Sequence, residues 1–118
     1  MSNGEKTLFS RIAEGDIPAE ILHRDEHCFV IKDIAPQAPT HLLVIPVKPI
    51  PRLADACTED RELLGHLLLV AGEIARKAGC DDAFRLVINN GAGAGQTVFH
   101  LHLHILGNAK FNEAGLLG

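Results

Sequence analysis

Phe99-His100-Leu101-His102-Leu103-His104-Ile105-Leu106 sets three histidines in strict alternation with apolar residues. Successive side chains on a strand point to opposite faces, so His100, His102 and His104 share one face and Leu101, Leu103 and Ile105 the other. The apolar face reads as core. The imidazole face needs a different explanation, because strand propensity favours β-branched and aromatic residues and nothing structural asks for three imidazoles in a row. Neutral imidazole, with an ordinary pKa of about 6.5, is a usable nucleophile, and a protonated neighbour stabilises phosphoryl oxygens or a leaving group. A metal site is the rival. At about 3.3 Å per residue His100 and His104 start roughly 13 Å apart, whereas a zinc ligand sits about 2 Å from its ion. Three imidazoles on one straight strand therefore do not meet at a single zinc. Two of them with a third ligand such as His41 do, so zinc-assisted hydrolysis stands beside nucleophilic chemistry at phosphorus.

The preceding segment, Gly91-Ala92-Gly93-Ala94-Gly95-Gln96-Thr97, lets backbone approach an oxyanion closely and ends in amide and hydroxyl donors. The alternative is a mobile hairpin loop. A dinucleotide fingerprint fails here, since Gln96 stands where the third glycine belongs and a strand follows where a helix is needed.

Further out, Thr7 is placed to cap a short helix with Leu8, Phe9, Ile12 and Ala13 on one face and Gly15 at its end. Glu20–His23 and Cys28–Lys32 read as strands joined by the polar turn Arg24–His27, and Leu42–Ile45 as a third, stopped by Pro46. Prolines 36, 39, 46, 49 and 51 leave 34–40 and 47–52 as fixed loops. From Thr58, the residues Leu63, Leu64, Leu67, Leu68, Ala71, Ile74, Ala75 and Ala78 recur at helical spacing, with acids in the first turn and Arg76, Lys77 and Gly79 at the stop. Phe84–Asn89 and Leu101–Leu106 complete about five strands. Strands before and after one long helix predict an α+β fold, a mainly antiparallel sheet with helix on one face.

The chain has 118 residues, 47% of them hydrophobic and 22% charged, which fits one globular domain spanning 1–118 with peripheral tails at 1–6 and 108–118. A net charge of -4 with interspersed signs gives no basic stripe, so nucleic acid and membrane surfaces are not expected partners. The opening residues are polar rather than signal-like, and no apolar run approaches a membrane span. Cys28, Cys57 and Cys80 form no C-x-x-C pair and suit a reducing, cytoplasmic compartment.

The run from Gln96 to Leu106 resembles the signature of the histidine triad (HIT) family, three histidines separated by single apolar residues. Asp33-Ile34-Ala35-Pro36-Gln37-Ala38-Pro39-Thr40-His41 is similar to the Hint branch of that family, and with Thr7–Ile21 and Phe84–Gly107 the likeness covers nearly the whole chain. It implies a HIT-like fold and a purine nucleoside 5′-phosphoramidate hydrolase. His102 would attack the α-phosphorus, expel the amine and form a nucleotidyl-histidine that water cleaves. A third histidine, His104, favours hydrolysis over transfer. By the same resemblance, Asp33 holds the ribose hydroxyls, and Phe9, Ile12, Ile17 and Ile31 wall the base. Asn89, Gly95 and Thr97 sit near the phosphate and leaving group, where the loop reading adds the Gln96 amide as a substrate donor, and His41, His100 and His104 are the flanking imidazoles. Asp33 has a plainer reading as a turn residue, the apolar four as ordinary core, and Asn89 as a strand end. His23, His27 and His66 match no catalytic position and read as solvated or helix-face residues.

Two departures matter. Leu8-Phe9-Ser10-Arg11 stands where some HIT relatives carry a zinc-binding cysteine pair, so neither metal nor cofactor is expected. Pro49 stands where some Hint members have a further histidine, so the resemblance carries over no proton relay outward from His41. The breadth of the long helix's apolar surface, with Leu69 and Val70 beside Leu67, Leu68 and Ala71, predicts a homodimer; the resemblance implies one joined through this helix and Phe84–Asn89. Two other functions compete: a nucleotide-binding regulatory or scaffold protein that keeps the pocket, and a dinucleoside polyphosphate hydrolase.

Overall fold

The computed structural model describes residues 6–116. Thr7 caps α1 (Leu8–Ala13) by accepting the Ser10 N–H at 2.9 Å, and Gly15, at φ 85°, turns the chain out of it. Strands β1 (Ile21–Arg24), β2 (Cys28–Lys32) and β3 (Thr40–Pro46) form a meander. A 3-10 turn at Thr58–Asp60 leads into α2 (Arg61–Lys77), which Gly79 ends at φ 77°. β4 (Phe84–Val87) and β5 (Leu103–Gly107) complete a five-stranded sheet of order β1-β2-β3-β5-β4, with every pairing antiparallel. The architecture is the expected α+β sheet.

Alternation sorts the strands between two apolar layers. Cys28, Val30, Leu42, Val44, Leu103 and Ile105 point to the α2 side and pack on its buried stripe of Leu67, Val70, Ala71, Ile74 and Ala75. Phe29, Ile31, Leu43 and Ile45 point the other way and pack on Phe9 and Ile12 of α1. The helix stripe differs from the expected one at a single turn: Val70 is core, while Leu68 and Leu69 are 53% and 76% exposed.

The histidine strand also begins later than its alternation suggests. β3 ends at Pro46, so the ladder with β5 starts at Val44 opposite Leu103, and the Leu101 N–H goes instead to the Ile50 carbonyl at 2.7 Å. His100 and His102 therefore lie on an extended lead-in rather than in the sheet. β4 likewise stops at Val87, two residues before Asn89. The glycine-rich segment forms one 3-10 turn at Ala92–Ala94 between Gly91 (φ 91°) and Gly95 (φ 97°). Of the segments read as tails, 1–5 lie outside the described residues, whereas part of 108–118 is tied down: the Arg85 guanidinium lies 4.9 Å over the Phe111 ring and donates to the Asn112 carbonyl.

Candidate active site

The lead-in and the head of β5 place the three triad imidazoles on the α1 side of the sheet, and β3 brings His41 beside them. His100 is fully buried. Its Nε2 donates to the Pro46 carbonyl at 2.7 Å, and its Nδ1 accepts the Thr7 hydroxyl at 2.5 Å. Both nitrogens are occupied, so the ring is neutral with its proton on Nε2. Burial pushes its pKa below the ordinary imidazole value, although the Pro46 carbonyl pulls the other way.

His102 follows a different pattern. Its Nδ1 donates to the carbonyl of His100 at 2.8 Å, which puts the proton on that nitrogen and leaves the Nε2 lone pair without a partner among the described residues. The Phe9 ring meets it edge-on, 5.0 Å between centroids, and packs against His100 at 5.7 Å. Burial lowers the pKa of His102 as well, so the ring stays neutral, as a nucleophile requires.

His41 and His104 are linked. The Gln37 N–H donates to His41 Nδ1 at 3.0 Å, so the proton of His41 sits on Nε2, and that nitrogen lies 2.9 Å from His104 Nδ1. Asp33 Oδ2 stands 3.4 Å from the same Nε2 as a second acceptor. The order of donors fixes His104 with its proton on Nε2, and this atom is buried with no hydrogen-bond partner among the described residues. A buried N–H without an acceptor is costly and calls for one from outside the protein. Burial, then the neighbouring His102 and His41, push the pKa of His104 down to about 4.

Among the expected base-wall residues, Phe9, Ile12 and Ile31 are buried together in the apolar layer beside His102, with Ile17 packed at its margin. Asp33 combines two duties. Its Oδ1 accepts the Ala35 N–H at 2.8 Å, forming the turn into the proline-rich loop, and its Oδ2 faces His41. Gln96 is placed differently from the expectation that it offers donors to a substrate. It is buried, its Oε1 takes the Gly91 N–H, and both amide hydrogens go to the carbonyls of Pro51 and Val98. Gln96 thus locks the glycine turn onto the loop before α2. Thr97 is exposed and Asn89 half-buried. Two participants escape a reading of the sequence. Thr7 is legible as a helix cap but not as a partner of His100, and Gln37 acts through its main chain, which carries no side-chain signal.

Asp33, His41 and His104 also bring one ligand atom each within 4.8 Å of one another. His102 is outside this group, so the metal rival and the nucleophile use different atoms of the site.

Residues 14–111 match the HIT domain. An uncharacterised HIT-like protein of Synechocystis is 58% identical over 108 residues, covering 92% of this chain and 95% of its own. The purine nucleoside phosphoramidase of Escherichia coli is 41% identical over 104 residues, 87% of each chain. Among solved structures, a HIT family hydrolase of Legionella pneumophila superposes with a TM-score of 0.89 at 42% identity, covering 92% of this chain and 97% of that one. Fold and site define a histidine triad protein. This chain belongs to the HIT family.

Proposed function

We propose that the protein hydrolyses the P–N bond of purine nucleoside 5′-phosphoramidates through a nucleotidyl-histidine on His102. The observation that carries this reading is the hydrogen bond from His102 Nδ1 to the His100 carbonyl, which aims an unprotonated Nε2 outward. The likeness to the Escherichia coli phosphoramidase supports the substrate class. In the first step Nε2 forms a bond to the α-phosphorus as the P–N bond breaks, and the departing amine takes a proton. A bound phosphoryl anion favours the protonated form of His104, so that this ring, hydrogen-bonded to His41, holds the extra proton when substrate is present. Nε2 of His104 delivers it. Water then forms a bond to phosphorus as the Nε2–P bond breaks, its proton returns to His104, and the nucleoside monophosphate leaves with the Nε2 lone pair of His102 restored. Asp33 holds the ribose, the layer of Phe9, Ile12, Ile17 and Ile31 lies against the base, and Gly95, Thr97 and Asn89 border the phosphate and amine. His100 and Gln96 position these groups rather than touching substrate. The reading asks for no metal or cofactor, and it places the protein as a homodimer in the reducing cytoplasm.

An adenosine phosphoramidate releasing a fluorescent amine tests the proposal, with quench-flow and intact-protein mass spectrometry to trap the adduct. Turnover with AMP mapped to His102, abolished in His102→Ala while AMP binding persists, is the expected result. AMP binding without turnover would favour a regulatory nucleotide-binding protein. Preference for a diadenosine polyphosphate would move the substrate class, and loss of turnover to a chelator would restore the metal rival.

A further inference from the structure

On the α2 side of the sheet, away from the triad, a second constellation gathers around one carboxylate oxygen. Asp25 Oδ2 accepts His23 Nε2 at 2.8 Å and His66 Nε2 at 2.8 Å, and Cys28 Sγ lies 3.6 Å away. The other oxygen, Oδ1, takes the backbone N–H groups of His27 at 2.7 Å and Cys28 at 2.9 Å, so the turn fixes the direction in which Oδ2 points. β1 supplies His23, the turn after it Asp25 and the head of β2 Cys28, and α2 supplies His66, 41 residues from Asp25 in sequence. None of these residues enters the proposed hydrolysis.

We infer that His23, Asp25, Cys28 and His66 form a binding site for a zinc-class divalent cation that clamps the β1–β2 turn to α2. The ligand atoms of His23, Asp25 and Cys28 already lie within 4.8 Å of one another. Tetrahedral zinc, with bonds of about 2.0 Å to nitrogen and oxygen and 2.3 Å to sulfur, holds its ligands roughly 3.3–3.8 Å apart, so closing on an ion takes shifts of about an ångström. His66 completes the tetrahedron by turning its Nε2 from Asp25 toward the ion. The mixture of one sulfur, two imidazoles and one carboxylate suits zinc and cobalt and disfavours calcium or magnesium, which prefer oxygen ligands throughout. The way in is apparent too. A cleft of about 410 Å³ runs past His66 and is lined by Glu59, Glu62, His27 and Leu63, so two carboxylates draw a cation to the clamp. Binding releases one proton, from the Cys28 thiol, while each imidazole moves its proton from Nε2 to Nδ1. This departs from the expectation of a chain without metal, which rested on the missing cysteine pair before α1.

Cobalt(II) is the probe, titrated into the metal-stripped full chain. The expected result is one equivalent with tetrahedral d–d bands and a thiolate-to-cobalt charge-transfer band, displaced by zinc. His23→Asn and His66→Asn, both on partly exposed side chains, should each weaken binding roughly tenfold or more, and Cys28→Ser should remove the charge-transfer band. His104→Asn and the Cys57→Ser/Cys80→Ser pair should change none of this. Absence of a stoichiometric tetrahedral spectrum overturns the inference. So does a spectrum that survives His23→Asn and His66→Asn, or one lost with His104→Asn, which would place the ion at the triad. Should Cys28→Ser fail to fold, the two histidine variants decide.

Discussion

Asp33 divides its carboxylate between two partners, and the division makes its role testable. Asn keeps an Oδ1 acceptor for the Ala35 N–H and so preserves the turn, while removing the charge at the Oδ2 position. If Asp33 holds the ribose, Asp33→Asn should raise KM for the nucleoside phosphoramidate about tenfold or more and alter kcat far less, because the lost interaction is common to ground and transition states. A fall in kcat at constant KM would place Asp33 in the chemistry instead. The buried imidazoles give a second expectation. Neutral His102 is the attacking form, and burial shifts its pKa downward, so the acid limb of kcat/KM should lie below the ordinary imidazole range near pH 6.5. The same shifts act on stability. In the unfolded chain these rings take protons below about pH 6.5, whereas folded His104 resists until about pH 4. The unfolded state therefore binds more protons in that window, and stability falls as pH drops through it. Thermal melts at pH 7 and pH 5 should show the drop, and His104→Asn should reduce it. At this scale the sequence discloses which residues gather but not how each is spent. His100 and His102 occupy equivalent places in the alternation, yet one has both nitrogens engaged and the other has one free. That difference comes from Thr7 and Pro46, which lie far away along the chain.

Helix boundaries were legible because their signals are local: a Thr cap, acids in the first turn, glycine in left-handed backbone at the stop. Strand ends were legible where a polar turn marks them, as at Cys28–Lys32, and not where they depend on a partner. Alternation alone carries the last strand back to Leu101, but β3 has run out at Pro46, and the backbone there pairs with the loop at Ile50. Gln96 escaped for the same reason, its amide reaching the Pro51 carbonyl on another segment. One glycine within the strands has a cause visible only in the packed sheet. A Cβ at Gly107 would lie 2.5 Å from Cys80 Sγ and 2.9 Å from Cys80 Cβ, and the latter atom cannot swing aside. Gly107→Ala should destabilise the fold by about 1–3 kcal/mol in chemical denaturation, with partial recovery when Cys80→Gly is added. An unchanged midpoint would mean that β5 slides to make room.

The molecule as a whole leaves one side poorly covered. β4 forms an outer edge of the sheet, and Leu68 and Leu69 stand exposed on α2. An open strand edge and exposed leucines each invite a second copy. Light scattering at micromolar concentration should give the mass of a dimer, and Leu69→Lys should move the population toward monomer; a monomer mass for the natural chain would end the proposal. No helix among the described residues is long and apolar enough to cross a membrane. A last consequence concerns heat. The Thr7 hydroxyl both caps α1 and holds His100, so the shorter of the two α-helices among the described residues is also a latch on the triad. Six residues make a helix of little intrinsic stability, and such a segment opens locally at a fraction of the cost of global unfolding. Each opening frees His100, whose carbonyl in turn aligns His102. On warming, catalysis should therefore fade reversibly several degrees before the sheet melts, and Thr7→Val should widen that gap while amide exchange accelerates in α1 and leaves β2 and β3 protected.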